Sequence, residues 1–226
     1  MKKVSPIISI LIFYLIFQIY LPGVAENQIE KNIINYVDEV EGLSVKASSF
    51  PAWKIITEDK LDHLEVKAES FIIDGLKFEG FEGKYQDVSY KDQIIKGENT
   101  DLYFYLTETS LNEYLQVKYP EFKNFDIDLK DRDVILNGKL EVFDSTIELY
   151  LIGDFKLNDI NNIVYTPNEF KVEKLEIPVS LIKEITGDMS FSIDLSQYNI
   201  PIKVENLRLK EDRIELSGGS FVRKAG

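Results

Sequence analysis

From Leu61 onwards apolar residues return at every second position: Leu64, Val66 and Ala68, then Phe71 and Ile73, then Leu76 and Phe78. Successive side chains of an extended chain point to opposite faces, so this spacing commits the segment to strands that bury one face and leave the other in water. Asp74-Gly75 supplies a turn between two of them, and Gly80 and Gly83 mark bends or bulges where a sheet curls. Further strands are expected over 101–107, 125–129, 134–143, 146–155, 170–177, 202–209 and 213–216. Leu43-Ser44-Val45-Lys46-Ala47 alternates in the same way.

Helical spacing is confined to short stretches. Over 27–40, Ile29, Ile33, Ile34, Val37 and Val40 share one face with Glu30, Lys31, Asn35, Asp38 and Glu39 opposite, and Gly42 follows as a stop. Over 108–119, Leu111, Tyr114 and Leu115 recur at helical intervals before Pro120 closes the element. Pro178 suits the first position of a helix carrying Val179, Leu181, Ile182 and Ile185, which Gly187 ends. Phe50-Pro51-Ala52-Trp53-Lys54-Ile55-Ile56 reads as a short helical or loop element. The pattern is α+β and rich in strand.

The first 25 residues have the layout of an export signal. Lys2 and Lys3 precede an apolar run over 7–20, interrupted only by Ser9 and Gln18, and Pro22-Gly23 breaks the pattern before Val24-Ala25. That run is shorter than the roughly 20 residues that cross a bilayer comfortably, and Gly23 and Ala25 are small at the positions a signal peptidase reads. The expected mature chain is one domain, 26–226. The alternative is an uncleaved anchor extending through Ala25. No cysteine is present, which excludes disulfides, thiolate metal sites and a lipobox. The protein is expected to be exported and to work outside the cytoplasm, secreted or held by that N-terminal helix.

Loss of Lys2 and Lys3 leaves 24 basic residues against 39 acidic ones and takes the formal charge from minus 13 to minus 15. The lysines are interspersed with acids, so no basic patch exists for a phosphate backbone, and nucleic acid is not an expected partner. His63 is the single histidine and falls on the polar face of an alternating strand. Asp126 with Asp128, and Asp131 with Asp133, are nominal carboxylate pairs, but both flank a hairpin, where such charges stay solvated. No nucleophile elbow, phosphate-binding glycine loop or calcium loop occurs, so neither an enzyme nor a cofactor is expected.

What remains is apolar: 14 Phe, 12 Tyr and one Trp. Most must be core, yet a helix packed on a curled sheet also leaves a lined groove of the kind lipid tails fill, at about 0.8 kcal/mol per buried methylene. One internal echo stands out. Leu129-Lys130-Asp131-Arg132-Asp133-Val134-Ile135-Leu136-Asn137-Gly138 parallels Leu209-Lys210-Glu211-Asp212-Arg213-Ile214-Glu215-Leu216-Ser217-Gly218, as two charged hairpins or as halves of a duplication.

The order of parts resembles the LmeA-like phospholipid-binding proteins of bacterial envelopes. The resemblance rests on the opening helix before Gly42-Leu43-Ser44-Val45, the Phe50-Pro51 step, and Leu64-Glu65-Val66 running into Asp74-Gly75-Leu76. It continues through Thr109-Ser110-Leu111-Asn112-Glu113-Tyr114-Leu115, Ile177-Pro178, Ile200-Pro201-Ile202-Lys203-Val204 and Arg213-Ile214-Glu215-Leu216-Ser217-Gly218. It implies a long antiparallel sheet curled round an amphipathic helix, similar to the tubular lipid-binding (TULIP) superfamily, with phospholipid in the interior and no catalysis.

The leading expectation is therefore a module that binds or shuttles phospholipid or a similar apolar ligand, in peripheral contact with the outer face of the cytoplasmic membrane. Ile33, Val37, Phe50, Trp53, Leu115, Ile182 and Ile185 are the candidate lining, with Trp53 placed at a groove mouth or a membrane interface. The competing expectation is an envelope interaction protein with a filled core and no ligand. Sequence leaves the oligomeric state open.

Overall fold

The computed structural model describes residues 6–89, 96–142, 145–158, 161–172, 175–177, 189–197 and 203–219. Antiparallel strands dominate and curl into a half-barrel, accompanied by an N-terminal helix and a few short ones. Helix α1 (Pro6–Tyr36) leads into strands β1 (Glu39–Glu41) and β2 (Ser44–Ser48), the short helix α2 (Lys54–Thr57), and the long strands β3 (Lys60–Ile73), β4 (Leu76–Ser89) and β5 (Lys96–Thr107). Helix α3 (Glu108–Lys118) precedes β6 (Phe125–Leu129), β7 (Val134–Val142), β8 (Ser145–Asn158), β9 (Asn162–Val172), β10 (Leu175–Ile177) and β11 (Phe191–Asp194). Strands β12 (Asn206–Leu209) and β13 (Arg213–Gly218) follow.

The strands divide between two sheets. One has the order β1-β3-β4-β5-β13-β12, with β2 also on β3, and the other runs β10-β9-β8-β7-β6, with β11 also on β9. Asp74 and Gly75 both take left-handed backbone, with φ of 52° and 77°, and pair Ile73 with Leu76 across the β3–β4 hairpin. Two such residues match the mirror-image turn whose twist suits antiparallel strands. Gly80 adopts φ of 61°, and the β4–β5 register shifts between Glu79 and Glu82 around it. The expected bulge therefore sits where the sheet bends.

The internal echo is a structural one. Lys130 N–H donates to the Asp133 carbonyl at the β6–β7 tip, and Lys210 N–H donates to the Arg213 carbonyl at the β12–β13 tip, both at 2.9 Å. Leu129 pairs with Val134 in the first hairpin and Leu209 with Ile214 in the second, and each hairpin forms the end of a different sheet. The helix expected over 178–187 lies outside the described residues.

Two sequence expectations are corrected. The N-terminal helix does not begin at Asn27 or end at Val40. It runs unbroken from Pro6 to Tyr36 through Pro22, and Val40 belongs to β1. An interior proline removes one helical hydrogen bond, but the helix is held on both sides of it. Gln18 bonds to the segment after β2, and Glu26 accepts the Ala47 N–H at 2.8 Å. Its inward stripe is Leu21, Ala25 and Ile29, with Ile33 packed beside the core, while Ile34 faces outward.

The strand expected over 170–177 is two strands, and its larger part, β9, starts at Asn162. Pro167 hides this start in the sequence, because proline argues against strand. Here it stands opposite Gly153, where the β8–β9 register shifts. A side chain on Gly153 would come within 2.3 Å of the Thr166 carbonyl oxygen, so the close approach requires glycine. The strands β1 and β11 are too short to show a period.

The core is continuous across both sheets. Phe71, Phe78, Phe81 and Phe104 stack and cross edge-on in the first sheet, with Phe71 and Phe78 centroids 4.8 Å apart. In the second, Phe191 gathers Tyr119, Phe122, Phe155 and Tyr165 at 5.3–5.7 Å. Helix α3 packs on β4, β5 and β6 and so joins the two halves. Thr107 caps it by accepting the Ser110 N–H, and Lys118 at its other end pairs with Asp74 at the β3–β4 turn.

Candidate functional site

Three surfaces border this interior. The first is the seam where β12 lies against β8. Leu157 on β8 and Leu207 and Leu209 on β12 pack against the core but remain only partly buried, unlike Leu149 and Leu151 on β8 and Leu216, the partner of Leu207 on β13. Asn161 ties this end together: its side-chain oxygen accepts the Val204 N–H and its carbonyl accepts the Leu195 N–H, each at 2.8 Å. Sequence reasoning missed these residues because partial exposure of a leucine depends on which strand lies beside it.

The second surface surrounds α2. Ala52 and Ile55 are buried against the domain, whereas Phe50, Trp53 and Ile56 are 69, 49 and 60% exposed. Tyr14 of α1 meets Trp53 edge-on with ring centroids 6.0 Å apart. On either side of Tyr14 the α1 side chains Ile7, Leu11, Phe13, Leu15, Ile16 and Ile19 are exposed as well. This helix is long and apolar enough to cross a membrane, by length and composition, and it fits a signal or an anchor.

The third is polar. A hollow of about 320 Å³ lies over β2, β3 and β4 beside Lys46, Ser48, His63, Glu65 and Lys84. Another of about 870 Å³ is bordered by Gln116, Lys123, Asp126, Asn137, Lys139 and Glu148. His63 is exposed on the polar face of β3, opposite Ser48 and Gln86, as the alternation implies. Asp126 accepts from Gln116, Asp128 pairs with Lys130 at 2.7 Å, and Asp131 and Asp133 stand exposed at the hairpin tip.

Electrostatics oppose acid–base work at the groups that are perturbed. Asp62, Glu65, Asp194 and Glu205 are all held below the ordinary carboxylate range. The leading causes are hydrogen bonds from the Phe50 N–H, Lys67, Ser196 and Lys203 respectively. A general acid needs the reverse, a carboxyl pushed upward by burial. Among the described residues no group of three His, Asp or Glu side chains is placed to hold a metal ion.

The candidate lining residues fall in different places. Val37 and Leu115 belong to the continuous core, and Ile33 packs at its edge. Phe50 and Trp53 share the exposed apolar face beside α1. Ile182 and Ile185 lie outside the described residues.

A model of the LmeA-like phospholipid-binding family matches residues 19–219, nearly the whole chain. No curated protein and no solved structure matches it. The matched region begins inside α1, before the buried positions Leu21 and Ala25.

Proposed function

The chain belongs to the LmeA-like phospholipid-binding family, and from that premise we propose that it binds or shuttles a phospholipid outside the cytoplasmic membrane without catalysing a reaction on it. The observation that carries this reading is the family match over residues 19–219, which takes in both sheets and the core between them. An interior lined by Phe, Leu and Ile suits acyl chains, which gain about 0.8 kcal/mol per buried methylene without a charged partner. The β8–β12 seam is the entry this reading favours, since Leu157, Leu207 and Leu209 extend the apolar interior to the surface there. The aromatic packing within each half supports the rival reading, an envelope interaction protein with a filled core.

Native mass spectrometry of the purified chain, followed by lipid extraction, separates the two. The phospholipid reading expects a lipid-bound mass, uptake of a fluorescent phospholipid, and weaker uptake by Leu207→Asp with the fold intact. Finding neither bound lipid nor uptake rejects it in favour of the filled core.

A further inference from the structure

Gln18, one of the two polar residues inside the apolar N-terminal run, has structural partners. It donates from Nε2 to the Ser49 carbonyl and accepts the Ala52 N–H on Oε1, both at 2.9 Å. A single side-chain amide thus satisfies one backbone acceptor and one donor on the loop that carries Phe50 and leads into α2. Eight residues on, Glu26 accepts the Ala47 N–H at the end of β2. Between these two attachments, Leu21 and Ala25 are each 5% exposed and packed in the core.

From this we infer that α1 stays on the working protein as an anchor, and that the Gln18 clasp presses Phe50, Trp53 and Ile56 into the outer leaflet beside it. Cutting after Ala25 would remove Gln18 and Leu21 from the domain and leave the Ser49 carbonyl and Ala52 N–H without their partners. Lys2 and Lys3 before the apolar run favour a cytoplasmic N-terminus, which puts the β-domain on the opposite side.

The geometry suits a bilayer as occupant of the exposed patch. The patch is continuous with the exposed apolar surface of α1 through the Tyr14–Trp53 contact. Tyr20 and Trp53 are both exposed, and aromatic residues of this kind gather at the headgroup level, where interfacial apolar faces insert by roughly 5–10 Å. Backbone polar groups entering that layer must be satisfied by protein, and the clasp does this for Ser49 and Ala52.

Trp53 is the only tryptophan, so its fluorescence reports this loop alone. The full chain is expressed in cells with an active signal peptidase, its intact mass is measured, and it is reconstituted into 3:1 phosphatidylcholine–phosphatidylglycerol vesicles with brominated acyl chains. The expected result is the mass of a chain that keeps α1. Trp53 emission should be blue-shifted and quenched most by bromines near the headgroups, and Gln18→Leu should lose much of that quenching while remaining in the membrane. A mature chain beginning at Glu26 would overturn the inference, as would unchanged quenching in Gln18→Leu. Trp53 open to aqueous acrylamide and untouched by bromine would do the same. Shielding from acrylamide without bromine quenching would assign the patch to a second copy of the chain and overturn it too. Absence of a lipid in the core, which rejects the function proposed above, leaves this result unaffected.

Discussion

Asn112 and Ile127 exchange two hydrogen bonds, as neighbouring strands do. Asn112 Nδ2 donates to the Ile127 carbonyl at 3.0 Å, and the Ile127 N–H donates back to Asn112 Oδ1 at 2.5 Å. Strand β6 is the edge of its sheet, so these groups have no strand partner. One turn earlier on α3, Glu108 accepts the Leu129 N–H at 2.9 Å. The helix thereby covers an edge that would otherwise invite pairing with another chain.

Asn112→Ala is expected to lower stability by about 1–3 kcal/mol, the cost of leaving a donor and an acceptor unpaired at a partly buried site. Urea unfolding measures it. An unchanged midpoint would mean that water replaces the amide without loss.

Gly80 and Gly75 both hold left-handed backbone, but a Cβ on Gly80 would lie 2.4 Å from a Tyr105 ring carbon, while one on Gly75 would meet nothing within 4 Å. Gly75→Ala should therefore cost about 1–2 kcal/mol from backbone conformation alone. Gly80→Ala should cost more, because the ring must also move and the β4–β5 bulge with it. Equal losses in thermal unfolding would show that Tyr105 shifts freely.

Asp62 accepts the Phe50 N–H at 2.6 Å and pairs with Lys54 at 3.2 Å, and the Phe50 bond is the chief reason its carboxyl is held below the ordinary 3.8. A depressed folded value means the contribution is full above pH 3.8 and is lost as pH falls through the lower folded value. Asp62→Asn should be less stable than the parent at neutral pH, and the gap should close on acidification. A gap that does not change with pH would show that the charge of Asp62 is irrelevant.

Tyr85 and Tyr165 are pushed upward from the ordinary 10.0, both by burial and Tyr165 also by Asp154. The Tyr165 hydroxyl donates to the Leu151 carbonyl at 2.9 Å inside the second sheet. In a spectrophotometric titration these two phenols should stay protonated after the exposed tyrosines have ionised, and should join them once the chain is unfolded. Their contribution to stability is full below pH 10.0 and is lost as pH rises towards the folded values. Simultaneous titration of every tyrosine in the folded protein would contradict the burial.

The local features were legible from the residues alone. Alternation marked β3, β4 and β6, and Asp74-Gly75 marked the hairpin between the first two, because period and turn conformation depend on near neighbours. The apolar N-terminal run and the family resemblance were legible in the same way. Partnering over long separations was not. Strand β13 pairs with β5, with Arg213 opposite Thr107, although seven strands intervene in the chain, and nothing near either strand encodes that choice.

The candidate lining shows the same division. Apolar character identified Val37, Leu115 and Trp53, but only packing put the first two in the core and left the third on the surface. Gln18 is the clearest case. By itself the sequence determined only that Gln18 is, with Ser9, one of two polar residues inside an apolar run. Only the tertiary structure decided that its amide meets Ser49 and Ala52, more than 30 positions away, and that a helix held at Gln18 and Glu26 continues through Pro22. Contacts that hold a helix in place across a missing hydrogen bond come from segments brought close by folding, and local propensity carries no trace of them.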